Sequence, residues 1–401
     1  MNLTRKQIPV GMQDTLPSEC SAKREMESRI RALFSQFGFL EIETPMLEYY
    51  EVLDDPVWGF RPEHLWKTFD REGRILALRP DSTVPAARMA GSALKEETLP
   101  LRLCYLQNAC KMEQDTLSML SEQPQAGVEI MGLSSPEADA EVIALSARTM
   151  QAAGIGDFQL ELGHAGFFQA VLEEAGVSKE DAVGIRELTE QKNALALEWH
   201  LKSLGLPEAV AEKLKRLPLL FGERDILEEA EAMAEGEKSR AALHNLREIV
   251  DLLDMWGCAW HVTLDLGMTQ EAGYYSGVIF RGQVAGVGQP ILSGGRYDGL
   301  PGLYGRSMPA VGFAASLKTC LIALERQGAR FQRPVPDVAI AFEKGCLKQA
   351  LEAAEKERRA GQRTCMVYEG GLEGLMRTPA MRHLYIREHL AEEIGGNQHG
   401  E

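Results

Sequence analysis

Residues 166–256 have an almost purely helical pattern, and segments with strand patterns lie on both sides of this block. Within the block, apolar residues recur at steps of three and four, which is the spacing of one helix face. Outside it, residues 39–43 and 260–265 have strand patterns, and no regular βαβ rhythm connects the elements. Such a mixture favours an α+β fold with an antiparallel sheet. The sequence therefore predicts an α+β core over residues 1–330 with a helical insertion at about 166–256.

A smaller unit is predicted after the core, at residues 335–395. A strand pattern at 338–342 leads into a helix pattern at 347–359, and a second strand pattern follows at 364–368. We expect a small α/β domain that is cut short after these two strands. The last residues, 396–401, are glycine-rich and polar, which predicts a disordered tail.

Composition and charge exclude several classes of protein. The chain has 59 acidic residues against 43 basic ones, a formal net charge of −16, which argues against non-specific binding of nucleic acids or anionic membranes. No apolar run reaches the ~20 residues of a membrane span, and the N-terminus lacks the apolar segment of a secretory signal. The seven cysteines form no C-x-x-C pair, which is typical of reduced thiols in a cytoplasmic protein. The spacing of His164, His200 and His261 does not fit a metal site, so no metal is expected. No cofactor is expected either.

Several polar or glycine-rich positions are ambiguous when each is taken alone. Asp81 lies two residues before Thr83 and could cap a helix rather than bind a ligand. Tyr274 and Tyr275 lie side by side, and such a pair often only packs in the core. Residues 294–299 are glycine-rich but match neither a P-loop nor G-x-G-x-x-G, so a tight turn beside a packed strand explains them equally well.

Taken together, these segments resemble the class II aminoacyl-tRNA synthetases, and among them the histidyl-tRNA synthetases. A helix followed by residues 38–45 resembles motif 1, the strand-and-proline element of their dimer interface. Residues 78–83 resemble the stretch that opens the amino-acid pocket, and residues 273–280 resemble the histidine-specific signature DYYTGTVFE. Residues 103–132 are similar to motif 2 and its exit, and residues 294–313 to the start of motif 3. The resemblance implies a class II antiparallel sheet flanked by helices.

The chain departs from the synthetases where they bind ATP. Three arginines hold the triphosphate in those enzymes, because guanidinium groups are always charged and donate in a planar fork. The corresponding positions are Lys111, Gln270 (or an adjacent non-basic residue) and Thr319, and the motif 2 loop at 115–121 has no basic residue. The resemblance therefore implies no adenylation activity, and we expect no catalytic residues.

The amino-acid side of the pocket is better preserved. Two carboxylates, a hydroxyl and an amide suit the ammonium and imidazole of histidine, and tyrosines supply an aromatic wall. Asp81 stands where the synthetases have glutamate, and its side chain is one methylene shorter. The positions that the resemblance assigns to histidine binding are Asp81, Thr83, Gln125, Glu129, Tyr274 and Tyr275.

A histidyl-tRNA-synthetase-like chain without the ATP arginines and with a shortened anticodon-binding domain resembles the regulatory subunits of short-form ATP phosphoribosyltransferase. The resemblance implies a homodimer that assembles with a short catalytic subunit and carries feedback control by L-histidine, with no tRNA and no membrane as partner. One alternative is a diverged histidyl-tRNA synthetase or other amino-acid ligase, in which Lys111 and Arg102 replace the lost arginines. Another is a synthetase-like binding or scaffolding protein unconnected with histidine biosynthesis.

Overall fold

The computed structural model describes residues 7–54, 62–112, 122–269, 274–387 and 390–394. The chain divides into a larger unit, which extends to residue 330, and a smaller unit, which comprises residues 331 onwards together with 16–21. Gln270, the motif 2 loop and the tail at 396–401 lie outside the described residues.

The larger unit contains a nine-stranded sheet and a small three-stranded one. Its strands are β1 Leu40–Glu41, β2 Leu47–Tyr49, β3 Lys67–Phe69, β4 Ile75–Leu78, β5 Leu101–Cys110, β6 Glu122–Met131, β7 Gln159–His164, β8 Phe221–Gly222, β9 Val262–Asp265, β10 Val278–Gln283, β11 Leu292–Arg296 and β12 Ala310–Ser316. The large sheet has the order β1-β5-β6-β12-β11-β10-β7-β9-β8, and the small one has the order β2-β4-β3. Neighbouring strands are antiparallel except for β1–β5 and β7–β9. The predicted α+β fold with an antiparallel sheet is confirmed.

Helices cover this sheet and form the block between its strands. They are α1 Pro17–Gln36, α2 Tyr50–Leu53, α3 Thr83–Gly91, α4 Pro136–Ala152, α5 Ala165–Glu174, α6 Lys179–Glu190, α7 Ala194–Ser203, α8 Glu208–Leu214, α9 Ile226–Glu231, α10 Glu237–Met255, α11 Leu300–Leu303 and α12 Leu317–Arg326. In the described part of the chain, short 3₁₀ helices lie at Pro62–His64, Leu217–Leu219 and Ala259–His261. Within the described residues, no helix has the length and apolar character needed to cross a membrane.

The first strand is shorter than its sequence pattern predicts. Gly38 lies between the end of α1 and the start of β1, and its φ of 76° is in the left-handed region that favours glycine. The strand pattern covers residues 39–43, but only Leu40 and Glu41 pair with β5 as a strand. The backbone N–H of Ile42 still donates to the carbonyl of Cys104 at 2.8 Å. Pro45 cannot donate to a ladder, which is consistent with the early end of the strand.

The helical block at 166–256 is confirmed as almost purely helical, with one exception. The two-residue strand β8 pairs with β9 and so forms the edge of the main sheet. Helices α5 and α10 at the two ends of the block pack on each other, and α10 also packs on α4. The face of α10 that the spacing predicted is buried, including Leu243, Leu246, Val250 and Leu253. The ends of the block are thus part of the core that supports the sheet.

The smaller unit has more strands than its sequence predicts. Its elements are β13 Val338–Phe342, α13 Leu347–Arg359, β14 Thr364–Val367, α14 Gly371–Arg377, β15 Arg382–Arg387 and β16 Leu390–Ile394. They form a sheet in the order β14-β13-β15-β16, in which only β16 is antiparallel to its neighbour. The expectation that this unit ends after two strands is wrong. Strand β15 buries His383 and Tyr385, two residue types that do not make a clear apolar pattern.

Candidate functional site

A cavity of 190 Å³ lies against the middle of the main sheet. Strand β6 contributes Gln125, and the start of α3 contributes Thr83, with Asp81 just before it. Tyr274 and Tyr275 line the cavity from the segment that precedes β10. Five of the six residues predicted to bind histidine therefore share one cavity, although they are far apart along the chain.

Asp81 both caps helix α3 and lines the cavity, the two alternatives that its sequence position left open. Its Oδ1 accepts a hydrogen bond of 3.1 Å from the backbone N–H of Val84, in the first turn of α3. Its side chain also lines the cavity. Burial raises the pKa of Asp81 to about 6, while the backbone N–H donors and the charge of Lys111 act in the opposite direction. Nearby, the hydroxyl of Ser82 donates to Gln125 Oε1 at 3.1 Å, which orients that amide.

Glu129, the sixth predicted residue, lies fully buried behind the lining of the cavity. The hydroxyl of Tyr105 donates to Glu129 Oε1 at 3.1 Å, and the hydroxyl of Tyr297 donates to Oε2. Burial raises the pKa of Glu129 to about 8, although these hydroxyl donors lower it. Gly312 on β12 leaves room for the carboxylate, because a Cβ there would lie 1.7 Å from Oε2. The Glu129 carboxyl group therefore holds a proton at neutral pH.

The tyrosines form the aromatic wall that the sequence predicts. The ring centroids of Tyr274 and Tyr275 are 4.7 Å apart, and Tyr274 meets Tyr297 edge-on at 5.8 Å. Gly295 is required for this packing, because a Cβ there would approach the Tyr275 ring to 2.7 Å. The glycine-rich segment therefore belongs to a packed strand, β11, and its glycines make space for aromatic rings.

Two of the positions that hold ATP in the synthetases are described, and neither carries a guanidinium. Thr319 lies in the first turn of α12, where it is buried and its hydroxyl donates to Ser316 Oγ at 2.8 Å. Lys111 forms an isolated β-bridge with Leu65. Among the described residues that line the cavity, none is lysine or arginine.

Arg102, the base that an alternative reading assigned to ATP, is engaged elsewhere. Its Nη2 donates to the carbonyl of Phe37 at 2.9 Å and forms an ion pair of 2.5 Å with Glu141. Its guanidinium also lies 4.4 Å from the centre of the Phe39 ring. Arg102 therefore connects the end of α1 to α4.

Sequence reasoning missed three residues that complete the site. Tyr105 and Tyr297 donate to Glu129, and Gly312 makes space for its carboxylate. Tyr297 lies inside the glycine-rich segment that the sequence singled out, so that segment was a usable signal. Tyr105 and Gly312 have no local signal, because their roles arise from strand neighbours on either side of β6.

Comparison with known proteins shows what the chain is similar to. The family model for histidyl-tRNA synthetase matches residues 11–320. An ATP phosphoribosyltransferase regulatory subunit of Acetivibrio thermocellus is 40% identical over 90% of this chain and 87% of its own. One of Caldanaerobacter subterraneus subsp. tengcongensis is 38% identical over 88% and 92% of the two chains.

Solved structures agree with these relatives. A Bacillus halodurans protein described as an ATP phosphoribosyltransferase regulatory subunit/histidyl-tRNA synthetase superimposes with a TM-score of 0.83 at 32% identity, covering 91% of this chain and 93% of its own. The histidyl-tRNA synthetase of Nostoc sp. PCC 7120 gives a TM-score of 0.81 at 19% identity, covering 98% and 97% of the two chains. At 19% identity, the similarity to the Nostoc enzyme shows only that the two chains share a fold.

Proposed function

The chain belongs to the ATP phosphoribosyltransferase regulatory subunits, a family with the histidyl-tRNA synthetase fold, and we propose that it does no chemistry of its own. In this role it regulates the transferase that carries out the first step of histidine biosynthesis. The observation that carries the proposal is an amino-acid cavity with acidic, amide, hydroxyl and aromatic groups but without a lysine or arginine among its described lining residues.

The lack of a cationic lining explains why amino-acid binding would not lead to activation. Formation of an adenylate places negative charge on the α-phosphate, and enzymes stabilise such charge with preorganised cations or donors. Thr319 offers a hydroxyl that is already bound to Ser316, and Arg102 is held by Glu141. A pocket that keeps the amino-acid contacts and loses the phosphate contacts is suited to sensing the amino acid.

We propose that the amino acid is L-histidine, the effector of feedback control. A free ammonium group that leaves water needs a carboxylate partner, and Asp81 at the cavity wall provides one. Tyr297 lines the cavity and donates to Glu129 behind it, and this polar group beside the tyrosine rings suits an imidazole. Histidine regulates the complex only if it binds one assembly state more tightly than another.

We further propose that the chain forms a homodimer, to which the short catalytic subunit binds. Large apolar side chains are exposed around the motif 1 segment and on the small sheet, with Leu40 70% and Phe69 69% exposed. Leu47, Tyr49 and Ile75 on β2 and β4 are also exposed. Exposed apolar side chains in and near the motif 1 segment suit a two-fold interface with a second copy. With an acidic chain and no basic groove predicted, tRNA is not expected as a partner.

Reconstitution tests this function. The purified protein is mixed with a short-form catalytic subunit, and transferase activity is measured with and without histidine. We expect activity only in the mixture, and inhibition by histidine. Histidine-dependent ATP–pyrophosphate exchange by the isolated chain would instead support an amino-acid ligase. The variant Lys111→Arg should also fail to exchange pyrophosphate, because Thr319 still provides no guanidinium.

A further inference from the structure

A second cavity, of 310 Å³, adjoins the amino-acid cavity, and Tyr275 lines both. Gln169 from α5 and Arg186 from α6 line the second cavity, as do Thr269 and Ser276 from the segments on either side of the undescribed residues 270–273. Four of these five side chains are uncharged and polar, and Arg186 brings a positive charge. The cavity thus combines one positive charge with several polar groups, beside an apolar part of the lining that includes Phe168, Met268 and Ile279.

Arg186 is half-buried, and among the described residues it makes no ion pair, hydrogen bond or ring contact. Arginines of similar exposure in the same unit are paired: Arg281 with Glu161 at 2.6 Å, and Arg102 with Glu141. A guanidinium that has lost part of its water without gaining an acceptor is costly, and a carboxylate is its best planar partner. The missing partner of Arg186 is therefore expected to be a bound anion.

The local structure holds Arg186 against this cavity. Thr269 Oγ1 donates to Glu190 Oε2 at 2.7 Å, and Glu190 lies one helical turn after Arg186 on α6. Gly267 allows the same loop to approach the end of α6 closely, because a Cβ there would lie 3.1 Å from the methyl of Thr189. Helix α6 and the loop at 266–269 are thereby fixed to one another, with the cavity between them and Tyr275.

The amino-acid cavity lacks one group that its ligand requires. Histidine has an α-carboxylate as well as an ammonium, yet the acidic residue in the described lining of that cavity is Asp81, and the lining contains no described lysine or arginine. The Asp81 carboxylate repels a second carboxylate, so the α-carboxylate needs a cation within reach. Lys111 acts on Asp81 through its charge but does not line the cavity, whereas Arg186 lines the adjoining second cavity, across Tyr275.

We propose that Arg186 binds the α-carboxylate of the effector, which extends past Tyr275 into the second cavity. This inference rests on the proposed function, since it names a further contact of the same ligand. Arg186 would then distinguish the amino acid from an amine with the same imidazole and ammonium groups. It would also connect the helical block to the ligand, because α6 lies within that block.

Calorimetric titration tests the proposal with the full-length protein and two ligands, histidine and histamine, which lacks the carboxylate. Arg186→Gln should weaken histidine by about 10–150-fold, the equivalent of one charge-assisted hydrogen bond, and leave histamine unchanged. Arg186→Lys should lose less affinity for histidine, because lysine keeps the positive charge but lacks the planar fork of donors. Arg216→Gln is the matched control, since Arg216 pairs with Glu229 on the surface of the same block. Thermal denaturation checks that each variant folds.

The outcomes separate this inference from the function on which it rests. If the wild type binds no histidine, the proposed effector site itself is wrong. If the wild type binds histidine and Arg186→Gln binds it equally well, only the role of Arg186 is overturned. An equal loss for histidine and histamine would also overturn it, since Arg186 would then act on the structure of the pocket. Inorganic phosphate that binds the histidine-saturated wild type but not Arg186→Gln would overturn it in favour of a separate anion site.

Discussion

Glu129 is a buried carboxyl group that accepts from two tyrosine hydroxyls, and among the described residues it has no cationic partner. With a pKa of about 8, it holds a proton at neutral pH. An imidazole has an ordinary pKa of about 6.5 and is too weak a base to remove that proton, so Glu129 would act toward an imidazole as a neutral hydrogen-bonding group.

The first prediction concerns binding at this residue. Glu129→Gln is nearly isosteric, but its amide NH2 replaces one of the two oxygens that accept from Tyr105 and Tyr297, so histidine affinity should fall by about 10–150-fold. Calorimetric titration measures the affinity, and inhibition curves of the reconstituted complex should show weaker feedback with an unchanged uninhibited rate. Glu161→Gln, at an acid paired with Arg281 away from the cavity lining, is the control. Unchanged affinity in Glu129→Gln would mean that histidine binds elsewhere.

The second prediction concerns stability and pH. Burial raises the pKa of Glu129 from 4.5 to about 8, so the folded state binds this proton more tightly than the unfolded state. Its contribution to stability is complete below pH 4.5 and is lost as the pH rises to about 8. Glu129→Gln has no such loss, so its melting temperature relative to wild type should be higher at pH 9 than at pH 5. The raised pKa values of Asp81 and Asp139 act in both proteins and largely cancel in this difference.

Melting curves of wild type and Glu129→Gln from pH 5 to pH 9 test this prediction. If the two proteins keep a constant difference in melting temperature from pH 5 to pH 9, Glu129 does not titrate as its burial requires. Glu25→Gln, at an exposed acid in α1, should give such a constant difference and serves as the control.

Among the elements, the pairing of β6 with β12 decides the geometry of the site. Gly312 pairs with Glu129 across these strands, in the middle of the main sheet. Gly127 on β6 allows a second close approach, since a Cβ there would lie 2.5 Å from the Tyr105 hydroxyl. Because neither glycine has a side chain, both leave space for the polar cluster formed by Glu129 and Tyr105.

The third prediction concerns this pairing. Gly312→Ala should destabilise the protein by about 1–3 kcal/mol, as is typical of overpacking, because its Cβ would collide with the Glu129 carboxylate. Urea denaturation measures the change, and histidine titration of the folded variant should show weaker binding. Gly288→Ala is the matched control, because no atom lies within 4 Å of a Cβ at that position. Equal stability of the two variants would contradict the close packing of β12 against Glu129.

For the whole molecule, our proposal of self-association rests on the exposed apolar side chains near motif 1. A stable two-fold interface normally buries more than ~1,200 Å² in total, and single exposed apolar residues elsewhere need no partner. Leu40 belongs to the motif 1 segment, whereas Leu195, 64% exposed on α7, lies in the helical block. These two leucines allow the interface to be separated from ordinary surface.

The fourth prediction concerns this assembly. The wild type should be a dimer at micromolar concentration, as measured by light scattering. Leu40→Asp should shift it toward monomer, because a charge would be buried at the interface. Leu195→Asp has the same chemistry at a similar exposure and should remain dimeric. A monomeric wild type would overturn the proposed dimer, and dimers of both variants would place the interface elsewhere.

The order and type of most elements follow from local sequence patterns. The strand Val338–Phe342 and the helix Leu347–Arg359 have the predicted bounds. Apolar periodicity is a property of neighbouring residues, so it can be read from the chain directly. The cavity residues were predicted because several separate segments together resemble the histidyl-tRNA synthetases. No single motif was sufficient.

The sequence by itself determined the α+β class and the helical block, and its resemblance to a known family named five of the residues that line the cavity. Only the tertiary structure decided that Glu129 lies behind the lining, that Tyr105 and Tyr297 donate to it, and that β15 and β16 complete the smaller unit. These features depend on which distant strands become neighbours and in what register. Gly312 meets Glu129 through such a pairing, and no local pattern specifies a contact between residues so far apart in the chain.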